Sequence, residues 1–466
     1  MEHDTESRWR RLRANIWPAW ITRDAGLLLI ARACMSATRS LAGIVVPIYL
    51  ASSGFSGLTL GFLFTVVAIA SAVLSALIGL LSDRVGRKPF IIVVPWLAAL
   101  AAVVFAFSHV TVLLFVFAAL GSFGRGAGAG AGAIGPYQPA EQALLAGTVP
   151  ARHRNSLFGR VAFASSFGSL IGSGPLIALP ALLTAIGLMN AAGDTNYRFT
   201  FLIMAVVALM AGLLAIPIND TSGSARPTRK APAAQAGSQR KKRRAISHQS
   251  WSLLLRLWTT NSINGLAIGF FGPFITYWFY RRYGAGPVTV GLLFSVINLG
   301  ALVANLGAAR LAARMGLVRA IVLSRALQAI LILPMVFAPT FWLAGVFYFL
   351  RMFAQRVGLP LRQSYVMGVI PAEERGTVGS LSNLPAQATS AIGPTLAGYL
   401  FDHVALELPF EIGALLQGIN TVLFFVFFRA ILPPEEQAKA GNKQSLRENA
   451  SEDEQQAPTV EHSASP

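Results

Sequence analysis

Long apolar runs separated by short polar loops extend along almost the whole chain. A helix that crosses a bilayer needs about 20 predominantly apolar residues, and the sequence meets this requirement twelve times. The pattern therefore predicts an all-α membrane protein with twelve transmembrane helices. We number these spans 1 to 12 in chain order: 25–52, 57–82, 90–108, 111–146, 157–180, 198–218, 252–281, 287–309, 319–338, 340–365, 377–401 and 408–432.

Polar segments divide the chain into five predicted parts. Residues 1–24 form an N-terminal segment, and residues 25–218 and 251–433 each hold six spans. The segment 219–250 is rich in Ser, Pro, Ala, Arg and Lys, and the tail 434–466 is polar. This composition buries too little apolar surface to fold. We therefore expect a disordered linker and a disordered tail around two six-helix bundles.

The distribution of Lys and Arg predicts the orientation of the spans. Placing the N-terminus in the cytoplasm puts most basic loop residues inside, including the basic run 240–244. The opposite loops then hold only Arg198, Arg281 and Arg282. Cytoplasmic loops carry the excess of Lys and Arg. We predict a multi-pass protein of a bacterial inner membrane with both termini cytoplasmic and the basic linker near anionic lipid headgroups.

Composition further limits the classes of protein and of functional site that the sequence allows. Only 12% of residues are charged, against about 25% in a soluble domain. The net charge of +18 follows from the predicted topology, so no nucleic-acid partner is expected. The single cysteine, Cys34, excludes an intrachain disulfide and a cysteine-built metal site. No phosphate-binding G-x-x-x-x-G-K-[ST] loop is evident, so we expect no cofactor and energy from an ion or solute gradient.

The two halves of the chain repeat one another. Gly43-x-x-x-Pro47 in span 1 matches Gly269-x-x-x-Pro273 in span 7, and the same offset relates Arg125 in span 4 to Arg351 in span 10. Two similar bundles can rock about a central site that faces each side of the membrane in turn. One chain supplies both bundles, so we expect a functional monomer.

The loop between spans 2 and 3 carries the most specific motif. It reads Gly79-Leu-Leu-Ser-Asp83-Arg84-Val-Gly86-Arg87-Lys88-Pro89, and we call residues 79–89 the latch loop. Asp83 can accept hydrogen bonds from Arg87 and from the amides of a helix N-terminus. Gly79 and Gly86 are expected to allow close packing and a tight turn.

This latch loop closely resembles the signature of the major facilitator superfamily, and the chain resembles its bacterial efflux-permease-like branch. The resemblance implies the fold of that family, with two pseudo-symmetric six-helix bundles. It also implies that Asp83 and Arg87, with Arg84 beside them, help hold an outward-facing state closed on the cytoplasmic side. Span 5 partly resembles the antiporter signature of drug exporters at Gly168, Gly172, Gly174 and Pro175, although glycine-mediated helix packing explains these residues equally well.

Charged residues inside the spans are the candidates for a binding site, because charge in hydrocarbon is costly and usually functional. Basic residues dominate, and Glu141 is the one acid clearly within a predicted span. We expect Arg325 to extend to the cytoplasmic interface instead, whereas Arg32 and Arg356 either extend there or face the cavity. The predicted cavity residues are Arg39, Arg32, Arg125, Arg351, Asn261 and Asn264.

Three functions remain open on this reading. The first is a secondary transporter of a small organic solute by alternating access, with an anionic substrate held by Arg39 and by Arg125 or Arg351. The second is proton-coupled export of amphipathic drugs, with Glu141 as the candidate proton carrier or as a structural partner of Arg125 or Arg154. The third is a membrane sensor that transports nothing. An enzyme is least expected, because no nucleophile, base and metal set is assembled.

Overall fold

The structure is a computed structural model that describes residues 20–123, 135–149, 153–187, 194–218, 248–370 and 381–431. Within these ranges the regular elements are all helical, and each predicted span coincides with helix. The predicted fold class is therefore confirmed. Arg125, the linker and the tail lie outside the described residues, as do the side chains of Asp83 and Arg154.

The first half contains spans 1 to 6. Among the described residues span 4 contains two helices, one on either side of residues 124–134, and span 5 passes through a short π-helix. In chain order the helices are Arg23–Ser52, Gly57–Val85, Lys88–Phe107, Thr111–Gly121 and Gln138–Thr148 for spans 1 to 4. Span 5 is Arg154–Ile171, Gly172–Leu176 and Ile177–Ala185, and span 6 is Asp194–Ala215.

The second half contains spans 7 to 12. Span 7 breaks next to Pro273, which has no backbone N–H to continue a helix, and span 9 breaks near its end. The helices are His248–Phe271 and Ile275–Tyr283, Pro287–Met315, Leu317–Ile330 and Ile332–Val336, Phe341–Val369, Leu384–His403 and Leu408–Phe428. Among all described helical segments, seven are long and apolar enough by length and composition alone to cross a membrane.

The two halves pack against each other near one end of the bundle. We call the end at which span 1 finishes the outer end, and the opposite end the inner end. Gly61 of span 2 meets the backbone of Pro394 in span 11. Ser173 of span 5 bonds to Ser295 of span 8 at 3.1 Å, and Thr276 of span 7 donates to the carbonyl of Gly43 in span 1 at 3.3 Å. The outer halves of these helices are therefore closed on one another.

Glycines in span 5 let it lie directly on span 1. A Cβ on Gly172 would stand 2.8 Å from the Cα of Ala37, and Gly168 meets the backbone of Ala33 in the same way. Small residues permit such close approach of membrane helices. The resemblance of this segment to an antiporter signature is thus accompanied by a direct packing role.

The Gly172→Ala variant is expected to destabilise the fold. The added methyl group must push span 5 away from the span 1 backbone, and overpacking of this kind costs about 1–3 kcal/mol. Gly159 in the same helix has open space around its missing Cβ, so Gly159→Ala should be neutral or slightly stabilising. Thermal unfolding of the purified proteins checks this, and equal melting temperatures for both variants would contradict the packing role.

Candidate functional site

A cavity of about 200 Å³ lies within the second half, between spans 7, 9, 10 and 12. We call it the arginine cavity because four arginines line it, and no carboxylate is among the described residues around it. Its other polar lining residues carry amides, which can both donate and accept hydrogen bonds. The charged and amide residues are Arg325, Arg351, Arg356, Arg362, Asn264, Gln328, Gln355 and Gln417.

Span 10 supplies most of the lining because of its sequence spacing. Arg351, Gln355, Gly358 and Arg362 lie at intervals of four, three and four residues, which places them on one face of an α-helix. With a rise of 1.5 Å per residue, Arg351 and Arg362 are about 16 Å apart along the axis. The helix runs from the outer to the inner end, so the arginines form a row that descends from the membrane centre toward the inner end.

Arg351 is the deepest of these arginines. It is only 2% exposed, and its guanidinium carbon lies 3.9 Å from the ring centre of Phe271. Its Nε is buried without a hydrogen-bond partner among the described residues, and the same holds for Nε of Arg356 and Oε1 of Gln355. Unsatisfied buried polar groups cost free energy. An anionic ligand could satisfy the two arginine Nε donors, whereas Oε1 of Gln355 is an acceptor and needs a donor from the ligand or from water.

Arg325 corrects an expectation drawn from the sequence. We expected its side chain to reach the cytoplasmic interface, and for Arg356 the interface and the cavity were both open. Instead Arg325 is buried, donates to Oδ1 of Asn420 at 3.1 Å and lies over the Phe424 ring at 4.5 Å, and Arg356 lines the arginine cavity. Burying the Arg325 guanidinium costs desolvation free energy, which extension to the interface would avoid. The amide of Asn420 and the ring face of Phe424 compensate part of that cost.

Arg32 is likewise buried, in an ion pair with Glu141. Its Nη1 donates to Glu141 Oε2, and its Nε donates to the hydroxyl of Ser165 at 2.7 Å. Both charged residues are almost completely shielded. With the Ser165 contact, the pair joins spans 1, 4 and 5. Arg125 and the side chain of Arg154, the partners that the sequence suggested for Glu141, lie outside the described residues.

Arg39 has a role that differs from the predicted one. Its Nη1 donates to the backbone carbonyl of Ser122 at 2.5 Å, and its guanidinium lies against Gly135, where a Cβ would collide with it. Ser122 and Gly135 flank the break in span 4, and both have positive φ. Helix ends leave carbonyls without partners, so Arg39 satisfies one at this break. It is not among the residues that line the arginine cavity.

The two predicted asparagines separate in the structure. Asn264 lines the arginine cavity and accepts from Nδ2 of Asn420 at 3.4 Å. Asn261 lies one turn away and donates to the carbonyl of Ser382 at 2.6 Å. Because its side chain is bonded to Ser382, just before the helix Leu384–His403, Asn261 is not among the residues that line the arginine cavity, contrary to our expectation.

The latch loop is partly as predicted. Gly86 has φ +97°, a conformation that glycine adopts without strain, so the expected tight turn is present. Gly79 has open space where a Cβ would lie, so the close packing expected there is absent among the described residues of this conformation. Arg84 is exposed, and Arg87 donates to the carbonyl of Ala143 in span 4 at 3.0 Å.

Several cavity residues were missed by the sequence reasoning. Arg362 and Gln355 could have been found, because they share the helix face of Arg351. Residues from spans 9 and 12 gave no such signal, since only the packing of these helices brings them to the cavity. The missed residues are Arg362, Gln328, Gln355 and Gln417, with Asn420 behind them.

A family comparison now identifies the chain. The model of the Major Facilitator Superfamily matches residues 28–260 and, a second time, residues 257–461. The chain belongs to this superfamily. The protein is therefore a membrane transporter and not an enzyme, and transporters of this superfamily bind small-molecule substrates. The double match agrees with the sequence repeat between the halves.

Curated relatives of this superfamily transporter include two resistance proteins. The quinolone resistance protein NorA of Staphylococcus aureus is 22% identical over 391 residues, covering 83% of this chain and 92% of NorA. The multidrug resistance protein MdtG of Proteus mirabilis is 24% identical over 398 residues, covering 82% and 90%. Among solved structures, the inward open xylose transporter XylE of E. coli has a TM-score of 0.64 at 14% identity, covering 87% and 96%. That likeness bears on the fold alone.

Proposed function

We propose that this superfamily member transports a small organic anion by alternating access and binds it in the arginine cavity. The supporting observation is that four arginines line this cavity and that no carboxylate is among its described lining residues. A guanidinium binds the oxygens of a carboxylate or phosphate through two parallel hydrogen bonds. An anion would also give acceptors to the unpartnered Nε atoms of Arg351 and Arg356.

The direction of the arginine row fits alternating access. The outer halves of spans 2 and 11 are packed together, while Arg362, Arg356 and Arg351 follow one another from the inner end toward the membrane centre. In the orientation predicted from the loop charges, a solute from the cytoplasm meets Arg362 first and Arg351 last. The proposal places a monomer in a bacterial inner membrane with cytoplasmic termini.

The proposed coupling ion is a proton carried by Glu141. Its carboxylate is buried and paired with Arg32, so protonation would remove the charge that joins span 4 to span 1. The same short helix also accepts a hydrogen bond from Arg87 of the latch loop at Ala143. Loss of the ion pair between Glu141 and Arg32 would therefore alter the contacts of this helix with both span 1 and the latch loop.

Ligand-induced thermal stabilisation tests the anion proposal. Small carboxylates and phosphate esters should stabilise the purified protein, whereas matched cations and neutral amides should not. Arg351→Ala should weaken anion binding by about 10- to 100-fold, because a hydrogen bond to a charged group is worth about 1.5–3 kcal/mol. Arg282→Ala is the control, since this arginine is 42% exposed and pairs with Glu407 at the outer end. Stabilisation by cations alone, unchanged in Arg351→Ala, would contradict the proposal.

Drug export is the second candidate function. It is favoured by the similarity to proteins named for quinolone and multidrug resistance. Expression in a drug-sensitive host should then raise resistance to cationic or neutral amphiphiles, and collapse of the proton gradient should abolish that resistance. Resistance of this kind that persists in Arg351→Ala would favour drug export over anion transport.

A further inference from the structure

A second cavity of about 400 Å³ lies between spans 2, 7 and 11. We call it the apolar cavity, because Phe64, Ala72 and Ala388 are typical of its lining. Its polar lining side chains are those of Gln387 and Ser390, and no charged side chain is among the described residues around it. Unlike the arginine cavity, it lies where the two halves of the transporter meet.

The two cavities are neighbours. Ile268 of span 7 lines both of them, so the arginine cavity and the apolar cavity adjoin at this side chain. Asn264, one turn earlier, lines the arginine cavity, and Gly269, the next residue after Ile268, lines the apolar cavity. Span 7 therefore presents a polar residue to one cavity and a glycine to the other.

Size indicates that the two cavities act together. Ligand pockets for drug-sized molecules have volumes of about 300–1,000 Å³, and the arginine cavity at about 200 Å³ is below that range. It has room for the anionic group of a substrate but little more. The apolar cavity supplies the missing volume and has few groups that could bind a charge.

The apolar cavity also reaches the surface of span 2. Ile69 and Val73 line it, and each is 52% exposed. A molecule with an apolar body can therefore reach this cavity past two exposed apolar side chains. A strictly polar anion would leave it unfilled.

We propose that the substrate is an amphipathic organic anion, with its charged group at Arg351 and Arg356 and its apolar body in the apolar cavity. This inference rests on the proposed anion transport and specifies its substrate class. Burial of apolar surface then adds to the binding that the arginines provide, by about fourfold for each methylene-sized group.

Three ligands that separate the charge from the apolar body test the inference by thermal stabilisation and by isothermal titration in lipid nanodiscs. Acetate carries the charge alone, 2-naphthoate carries the same charge with an apolar body, and 2-naphthamide carries the body without the charge. We expect 2-naphthoate to bind at least tenfold more tightly than acetate, and 2-naphthamide to bind at least tenfold more weakly than 2-naphthoate, in rough agreement with the area buried and the charge removed.

Two variants separate the cavities. Ala72→Phe fills the apolar cavity and should weaken 2-naphthoate binding at least tenfold while leaving acetate unchanged, as a rough expectation from lost burial. Ala388→Phe fills it from span 11 and serves if Ala72→Phe lowers the melting temperature of the free protein. Ala76→Phe is the control, because Ala76 is exposed on the same helix and lies outside the described lining. Arg351→Ala should weaken both anions.

The outcomes distinguish this inference from the proposed function. Equal affinity for acetate and 2-naphthoate, with both lost in Arg351→Ala, would overturn the amphipathic substrate and leave anion transport standing. Unchanged 2-naphthoate binding in both cavity-filling variants would overturn it in the same way. Equal binding of 2-naphthamide and 2-naphthoate, unaffected by Arg351→Ala, would overturn both proposals.

Discussion

Replacing Asp402 by alanine is expected to shift the transporter toward conformations in which the outer end is open. Asp402 ends span 11 in the second half, and its carboxylate accepts hydrogen bonds from the backbone N–H groups of Gly57 and Leu58 at 2.8 and 2.7 Å. These amides begin span 2 in the first half. A carboxylate at a helix N-terminus satisfies orphan donors and complements the helix dipole, so this contact holds the halves together at the outer end.

The size of the effect follows from the position of the contact. Hydrogen bonds to a charged group are worth about 1.5–3 kcal/mol, and exposure of Asp402 to solvent reduces that value. A loss of about 1–2 kcal/mol changes the ratio of closed to open outer ends by about 5- to 30-fold. Asp402→Asn keeps one acceptor oxygen and should show a smaller shift in the same direction.

Distances between spin labels at the outer end measure this shift. His109 and Pro339 are exposed in the loops before spans 4 and 10, and Cys34, the only cysteine, can be replaced by serine. Asp402→Ala should enlarge the long-distance population between labels at these two positions. Glu407→Gln is the control, because Glu407 pairs with Arg282 inside its own half at 3.2 Å. Identical distance distributions for Asp402→Ala and its parent would contradict the outer contact.

Span 2 connects the two ends of the transporter. It begins at the amides that Asp402 caps and ends at the latch loop, where family resemblance places the contact that closes the inner end. In the proposed transport cycle, one helix would then carry partner groups for closure at either end. Movement of span 2 against span 11 would exchange the two contacts in that cycle.

The sequence predicted the helices well because lipid imposes a simple rule. Backbone groups in hydrocarbon must be bonded within the segment, so apolar length alone predicted each span. Helix ends inside a span were harder to predict than the spans themselves. Span 4 was expected as one run, yet one helix ends at Gly121 and the next described helix begins at Gln138. Hydropathy along residues 111–146 gave no sign of this helix end.

The binding site was less predictable than the fold. Sequence spacing shows which residues share a helix face, but the neighbour of that face depends on packing between distant helices. Arg351 was expected in a cavity and lines one, while Arg39 lies at the break in span 4. Arg325 was expected at the interface, because the amide of Asn420 that receives it is 95 residues away in the sequence.

Removing the carboxylate of Glu141 is expected to produce the largest loss of stability. Glu141→Ala leaves Arg32 as a buried cation that still donates to the hydroxyl of Ser165 but has lost its carboxylate. Breaking a buried ion pair by removing one partner costs about 3–5 kcal/mol, and water is scarce at this depth in a membrane protein. The free energy of unfolding in mixed micelles, measured by denaturant titration, should fall by about that amount.

A double replacement separates the ion pair from simple side-chain packing. Arg32→Leu with Glu141→Leu removes both charges and keeps apolar volume, so it should recover most of the stability lost in Glu141→Ala, because a buried pair replaced by apolar residues is often neutral. Glu141→Gln keeps an acceptor oxygen for Arg32 but not its charge, and should lie between the two. If the double variant is as unstable as Glu141→Ala, the loss of stability comes from packing and not from charge. Protonation of Glu141 would then not be expected to weaken the contact between spans 1 and 4, which would count against Glu141 as the proton carrier.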